Sequence, residues 1–525
     1  MTRNQISLHT SPWVDTMDPG GRYGRLADAD RVDVAVVGGG VVGLTSAVLL
    51  QQAGCTVAIL EARDLTASVT THSTVKLTVG HGTKYSQIAK KRDRAAAAAY
   101  AQANVAGMHT VTALAEELGI DCDLRSGQRH LVYAAGSSDV EQLMAELSAA
   151  QEVGLPAVRV DEPDLPFPVA AAIGFEDQAT FHPGKYVQGL LAAFVDAGGV
   201  MVAGVRVTDV EEDRDGCTVS SDAGEVSAGQ VVVATGYPIL DRGGHFARLR
   251  ATRSYGVAGV LTAATDPGMT INVGSPTRST RTVELDGERL LIVVGEGHEV
   301  GHATSTDERW ERLRGWARAH FGVTEFRYHW SAEETHSDDL VPFAGLISPG
   351  AQRVYTATGF AGWGMTNGTA SAMLIAALAT GEEPPPWAST FDARRAGTRL
   401  PGVQFVKENV QVAKTWVRDR VGPARPAEEV AWLPPGEGSV FHIHDKDTAV
   451  CRDNDGRLHA VSAVCTHRGC NVAWNRGEES WDCPCHGSRF SMDGYVLNGP
   501  ASMPLEQRSP RGGSDQDEQG MAGYL

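Results

Sequence analysis

Nowhere in the 525 residues do 18 apolar residues run together, so no transmembrane helix is expected. The first residues, MTRNQISLHTSPWVDTMD, lack both a charged-then-apolar signal pattern and a twin arginine, and the expected location is cytoplasmic. Basic residues are short as well. Against 64 Asp and Glu stand 46 Lys and Arg, a formal charge of −18, which leaves no surplus to neutralise phosphates and argues against a nucleic-acid partner. No internal repeat is present. Cysteine is sparse: Cys55, Cys122 and Cys217 are scattered and read as reduced, buried thiols. The other five of the eight fall between Cys451 and Cys485, a density that requires a local cause, although Cys451 itself reads as a packing residue.

Glycine, by contrast, is plentiful at 59 residues, which suits an α/β chain rich in tight turns, and the length allows several domains. VDVAVV (32–37) is an apolar run ending in Gly38-Gly39-Gly40. A helical pattern follows from Val41 to about Ala53, and a second strand-like run, TVAIL, closes at Glu61. Gly38, Gly40 and Gly43 form G-x-G-x-x-G between a strand and a helix, with an acid 18 residues beyond Gly43. Each position has its reason. Gly38 permits the tight turn, Gly40 lets the backbone approach a pyrophosphate, and Gly43 allows close helix–strand packing. The helix N-terminus faces the phosphates, and Glu61 accepts from ribose hydroxyls. This fingerprint occurs once; VGEGHEVG (294–301) opens no helical pattern.

Further along, QVVVATG (230–236) reads as a buried strand ending in a turn at Gly236. RVYTATGFAGWGMTNGTASAMLIAALATG (353–381) reads as strand, Gly-rich turn and long apolar helix, before the proline cluster EEPPPW. With the fingerprint, these segments resemble the flavoprotein superfamily of D-amino acid, glycine and sarcosine oxidases over roughly residues 30–385. The resemblance implies FAD as the bound cofactor. It places Gly359, Gly362, Gly364, Met365 and Thr366 against the isoalloxazine and ribityl chain. It also assigns hydroxyls and amides for the flavin to ASVTTHSTVKLT (67–78), Thr74 among them. Some dimethylglycine- and sarcosine-dehydrogenase-like members carry a histidine at a similar offset, bonded covalently to the flavin ring. His72 stands there; a non-covalent contact or a structural role is the expectation, with covalent attachment the alternative.

CTHRGC and, 12 residues later, CPCHGSRF put four cysteines and two histidines into 22 residues. The ligand pattern is C-x-H, then 15 residues, then C-x-x-H: Cys465, His467, Cys483 and His486. Two Cys and two His can build a tetrahedral zinc site. C-x-H is an unusual zinc knuckle, however, and the pattern closely resembles the Rieske [2Fe–2S] signature, which implies two thiolates on one iron and two imidazoles on the other. Neutral imidazole in place of thiolate raises the potential into a range of about −150 to +300 mV. By the same resemblance, Cys470 and Cys485 match the pair whose disulfide braces the cluster loops in the Rieske proteins of cytochrome bc complexes. High-potential members follow the second loop with a Ser and, two residues on, a Tyr, both donating hydrogen bonds to cluster sulfurs. Here Ser488 is kept and Phe490 takes the tyrosine position, which lowers the expected potential.

The fold expectation is α/β: a Rossmann-like FAD-binding domain with an inserted α+β substrate domain, then a small all-β Rieske domain. Residues 1–30 read as an extension and 31–400 as the oxidoreductase, with FAD-binding parts at about 31–80, 175–245 and 340–385 and a substrate domain at about 81–174 and 246–339. A helix with Val403, Val406, Val410, Ala413, Val417 and Val421 on one face leads through a linker (401–430) to the Rieske domain (431–511) and a polar tail (512–525). In glycine-oxidase-like relatives an arginine five residues before the Asp of a D-x-x-P-x-x-G segment clamps a substrate carboxylate. Here that segment is 339–345, and counting back gives Glu334, with Glu333 beside it. An acid cannot clamp a carboxylate but pairs with an ammonium, so the expected substrate is an amine. Arg253, Tyr255, Trp330 and His336 are candidates for the pocket by position; Tyr255, Glu334 and His336 are the catalytic candidates. The expected function is a dehydrogenase that oxidises a small organic substrate at FAD and passes electrons singly to the cluster and an external carrier. The alternatives are an oxidase using O2 directly and an electron-transfer module without its own substrate.

Overall fold

The computed structural model describes residues 9–18, 21, 23–263, 266–302, 306–395 and 424–510. The helix expected at 403–421 and the tail from 512 lie outside the described residues. The chain divides into two compact units, Met1–Gly297 with Arg309–Arg399, and His298–Glu308 with Leu400–Leu525.

The first unit is built on two sheets. The eight-stranded one runs Phe343–Leu346, Val354–Thr358, Gly224–Val233, Arg31–Val37, Val57–Glu61, Val200–Ala203, with the hairpin Val207–Glu212/Cys217–Ser221 on the side of Gly224–Val233. The five strands from Val354–Thr358 to Val200–Ala203 pair in parallel. Parallel strands are covered on both faces, and this is why they read as unbroken apolar runs. Val34 and Val36 enter one core and Ala35 and Val37 the opposite one. The helices Val41–Gln52, Arg94–Glu117 and Gly364–Thr380 contribute to the first of these cores. The last two approach so closely that a Cβ on Gly107 would lie 2.2 Å from the Thr366 carbonyl oxygen. Gly381, at φ 74°, ends the third helix in the left-handed conformation that glycine adopts without strain.

The second, nine-stranded sheet runs Phe326–Ser337, Leu249–Val260, Glu288–Glu299, Arg278–Leu285, Met269–Val273, Arg125–Ala134, Ala171–Thr180, Lys76–Leu77, with Ala157–Val160 beside Ala171–Thr180. Residues 294–299 of VGEGHEVG lie in one of its strands, and no helix opens at those glycines. Residues 9–17, read from sequence as an extension, are packed into this unit. Trp13 is fully buried, donates its indole N–H to the Ser73 carbonyl at 2.7 Å, and follows a Ser11 cap whose hydroxyl reaches the Thr71 carbonyl at 2.6 Å.

The second unit holds two four-stranded sheets, Arg425–Pro426/Gly438–Ile443/Lys446–Arg452/Leu458–Ser462 and Ala473–Asn475/Ser480–Asp482/Arg489–Ser491/Val496–Asn498. It begins before the sequence boundary of 431, since Arg425–Pro426 pairs with Phe441 and His442 and Val430 is buried. His444 and Asp445 both take positive φ, as a two-residue hairpin turn of the twist-compatible type demands. Trp474, Trp481 and Phe490 fill the core beneath the cysteine-bearing loops.

Candidate functional site

The glycine fingerprint folds as its chemistry requires. Gly38 sits at φ 108°, and a Cβ on Gly43 would lie 1.9 Å from the Gly38 carbonyl oxygen, so the helix starts directly on the strand end. Gly40 brings no side chain to cap the helix Val41–Gln52, and the Thr70 hydroxyl accepts from Val41 N at 3.0 Å in its first turn. Glu61 closes the second strand and accepts from Gly39 N at 2.7 Å and Arg63 N at 3.0 Å. Its carboxylate is thereby fixed at the glycine turn, where a ribose would be met.

A small cleft is lined by Ser73, Thr74, Lys76, Gly362, Trp363, Met365 and Thr366. Its two walls are rigid for different reasons. The wall at 71–76 is gripped from distant parts of the chain. Besides Ser11 and Trp13, Trp330 donates to the His72 carbonyl at 2.8 Å, and Arg281 donates to the Thr74 and Val75 carbonyls, both at 2.8 Å. These grips hold Val75 at φ 53°, a conformation that costs a β-branched residue about 1–3 kcal/mol. The facing wall runs through Gly359 (φ 82°), Ala361 (φ 51°) and Gly362 (φ 83°), and Gly359 N donates to the Thr335 hydroxyl at 3.1 Å. Gly236, also left-handed at φ 77°, offers its carbonyl to Thr358 and Thr335. Thr74, Gly362, Met365 and Thr366 thus meet in one cleft, with Gly359 and Gly236 in its supporting turns and Gly364 opening the helix Gly364–Thr380.

His72 lies at the start of the gripped wall. Its Nδ1 is 2.9 Å from the Ser68 carbonyl oxygen, which can only accept, so the ring proton sits on Nδ1 and Nε2 carries the lone pair. Burial pushes its pKa down and keeps the ring neutral.

The paired strands Leu249–Val260 and Phe326–Ser337 sort the remaining candidates by parity. Thr252 pairs with Glu334 and Arg250 with His336, which places all four on one face. There Glu334 Oε2 is 3.2 Å from the Cβ position of Gly362, and His336 Nε2 is 2.8 Å from the Thr252 hydroxyl and 3.6 Å from Glu334 Oε2. Arg253, Glu333 and Tyr255 lie on the opposite face. Tyr255 is fully buried edge-to-face on Trp310 at 5.2 Å, in the core under the helix Asp307–Phe321, apart from the cleft. Trp330 shares the Glu334 face but is buried, holding His72.

Four residues at or beside the site, Trp363, His81, Lys84 and Lys76, were not singled out in the sequence. Trp363 stacks on His81 at 4.3 Å; burial holds that histidine down at about 3. Lys84 is pulled to about 8 by burial, an effect that Glu334 opposes. Lys76 is pulled to about 7 by burial and, secondarily, by Arg281. A lysine between Val75 and Leu77 in a short apolar run was the available signal.

In the second unit the two cysteine loops share one construction. Cys465 N donates to the carbonyl five residues on and Gly469 N returns to the Cys465 carbonyl (2.8 and 3.0 Å); Cys483 with Ser488 and Gly487 repeats the pattern (2.7 and 3.0 Å). Both thiols are free, buried and hydrogen-bonded to each other. Cys465 receives the N–H groups of His467 and Arg468, and Cys483 those of Cys485 and His486, again at equal offsets. The bond to Cys483, then the backbone N–H groups and Ser488, lower the Cys465 thiol to about 7, while Cys483 is pushed up. The rings of His467 and His486 meet edge-to-face, centroids 4.8 Å apart. Cys470 and Cys485 form a disulfide that ties the loops together. Two adjacent thiols, two adjacent imidazoles and a brace fit a two-iron cluster with split ligation. Phe490 is buried in the core and brings no hydroxyl.

Comparison with known proteins divides the chain into two families. A family model described as FAD dependent oxidoreductase matches residues 33–378, and one described as Rieske [2Fe-2S] domain matches 424–509. A protein of Bacillus subtilis (strain 168) named for a Rieske 2Fe-2S iron-sulfur centre, YhfW, is 31% identical over 486 residues, 92% of this chain and 94% of its own length. The cytochrome b6-f complex iron-sulfur subunit of Chlorobaculum tepidum is 34% identical over 110 residues, 21% of this chain and 57% of that subunit. Among solved structures, glycine oxidase from Geobacillus kaustophilus superposes with a TM-score of 0.59 at 19% identity, covering 70% of this chain and 100% of that one. L-amino acid deaminase from Proteus vulgaris gives 0.58 at 17%, covering 72% and 99%. These two likenesses establish the fold of the first unit. The family matches set aside zinc for the second.

Proposed function

We propose, for a chain that belongs to the FAD dependent oxidoreductase family and carries a Rieske [2Fe-2S] domain at 424–509, that it is a dehydrogenase of a small amine which hands electrons singly to an external carrier. Bound FAD supplies hydride acceptance, and a Rieske cluster supplies one-electron transfer. The protein's own part is to bind and orient. The observation that carries the amine reading is the Glu334 carboxylate against Gly362 at the cleft, where an ammonium would find a counter-charge. His336, hydrogen-bonded to Thr252, limits how that carboxylate turns. The gripped wall at 71–76 and the left-handed turn at 359–362 keep the reacting centre in fixed register, which is where orientation contributes to rate.

The test is anaerobic mixing of the purified holoprotein with a panel of primary and secondary amines. Flavin bleaching followed by the paramagnetic signal of a reduced cluster supports the reading. Bleaching with rapid peroxide formation in air and no cluster reduction would assign an oxidase instead. Glu334→Gln is expected to raise KM for the best amine roughly tenfold, the loss of about 1.4 kcal/mol of charge pairing, with kcat changed less. An unchanged KM removes Glu334 from the site. For the cluster, Phe490→Tyr adds a donor worth about 1 kcal/mol to the reduced form, a rise of roughly 40 mV in midpoint potential read by redox titration.

A further inference from the structure

Lys76 is the one titratable side chain among the seven residues lining the cleft. It is buried, and no carboxylate pairs with it among the described residues. Its ammonium meets neutral groups: the Thr270 carbonyl at 3.0 Å, the Ser279 hydroxyl, and His130 Nε2 at 3.4 Å. The Trp363 ring lies 5.7 Å away. The charged and titratable groups around it are His130 on Arg125–Ala134, His81 after its own strand, and Arg281 on Arg278–Leu285. Burial holds both histidines neutral, and Arg281 is spent on the Thr74, Val75 and Phe181 carbonyls while repelling Lys76. The Gly364–Thr380 helix contributes only Met365 and Thr366 to this cleft. A buried cation without an anion is costly, so such a group sheds its proton unless an anion arrives.

We infer that Lys76 is a redox-linked proton site: its Nζ takes up a proton when the FAD in this cleft gains an electron pair and returns it when the electrons leave. The inference rests on the reading that FAD occupies the cleft. The balance is complete. Two electrons and one proton would take bound FAD to its anionic reduced form, and a second proton would convert the Lys76 amine to an ammonium in the lining of the same cleft. The substrate supplies the electrons and the first proton together as hydride. The second comes from the substrate nitrogen or solvent. When electrons pass on singly, both protons leave, since an iron–sulfur carrier takes electrons alone. The lowered pKa puts the exchange in reach at neutral pH: above about 7 the amine form stands ready, and an adjacent anion raises the value and draws the proton in.

Spectroelectrochemical titration of the holoprotein tests this without any substrate. Flavin absorbance first reports whether FAD is bound. The slope of the flavin midpoint potential with pH then counts protons taken up per electron pair. Between about pH 7.5 and 9 the wild type is expected to take up about two, and Lys76→Met about one. Lys76→Arg keeps a permanent charge and is also expected to take up about one, with the potential above that of Lys76→Met. Should Lys76→Met lose FAD, the arginine variant decides. A wild-type count of one across the range, or a count of two kept in the variants, overturns the inference. Absence of amine turnover with a two-proton slope would sink the substrate reading and leave this one standing.

Discussion

His486→Ala is expected to abolish the paramagnetic signal of the dithionite-reduced protein, while flavin absorbance stays as in the wild type. Electron delivery to cytochrome c, offered as a one-electron acceptor, should fall on the order of 100-fold or more. The size of the effect follows from the site's construction. His467 and His486 meet at 4.8 Å, so removing either ring opens one side of the metal site. The thiols of Cys465 and Cys483 cannot compensate, because each is held by the backbone N–H groups of its own loop. Cys483→Ser should reproduce the loss. Bleaching of the flavin by substrate should survive both changes within about twofold, since that half-reaction takes place in the other unit. Retention of iron and signal in His486→Ala would remove His486 from the ligand set.

Gly43→Val is expected to yield protein with less than about a tenth of the wild-type FAD content and a lowered unfolding temperature. The first added carbon already lies 1.9 Å from the Gly38 carbonyl oxygen, and the neighbouring atom is backbone, which cannot turn aside. The helix would have to lift off the strand end, disturbing the glycine turn and the Gly39–Glu61 hydrogen bond together. Overpacking of this kind costs several kcal/mol. Gly315, exposed on the helix Asp307–Phe321 with nothing within 4 Å of its Cβ position, provides the reference. Gly315→Ala should keep FAD and gain up to about 1 kcal/mol from helix propensity. FAD content near wild type in Gly43→Val would show that the turn tolerates a side chain.

What was legible in the chain was what is local. Gly38 to Glu61 and Cys465 to His486 each carry their geometry within a few dozen residues, so spacing alone conveys strand, turn, helix and paired loops. The Cys470–Cys485 bond is likewise formed across two such loops. Lys76 was not legible because its burial is long-range: Ser279 lies 203 residues away and Thr270 lies 194. Tyr255 shows the complementary problem. It stands on the same strand as Thr252, but an odd number of residues away, and a strand sends alternate side chains to opposite faces. Only the register against Phe326–Ser337 reveals which face meets the cleft. The burial of Trp13 depends in the same way on Ser73, which propensity at residue 13 cannot announce.

The parallel sheet of the first unit also has a history in time. Arg31–Val37 lies between Val57–Glu61 and Gly224–Val233, and Gly224–Val233 in turn takes Val354–Thr358. One edge of the first strand is paired soon after it leaves the ribosome. The other edge waits through residues 62–223, roughly 10–30 s of synthesis. During that interval one edge of a strand whose last four residues are apolar is unpaired beside an incomplete nucleotide turn. A nascent chain stopped anywhere before Thr358 should therefore be a substrate for chaperones, and the nucleotide site is completed long after its glycine motif is made.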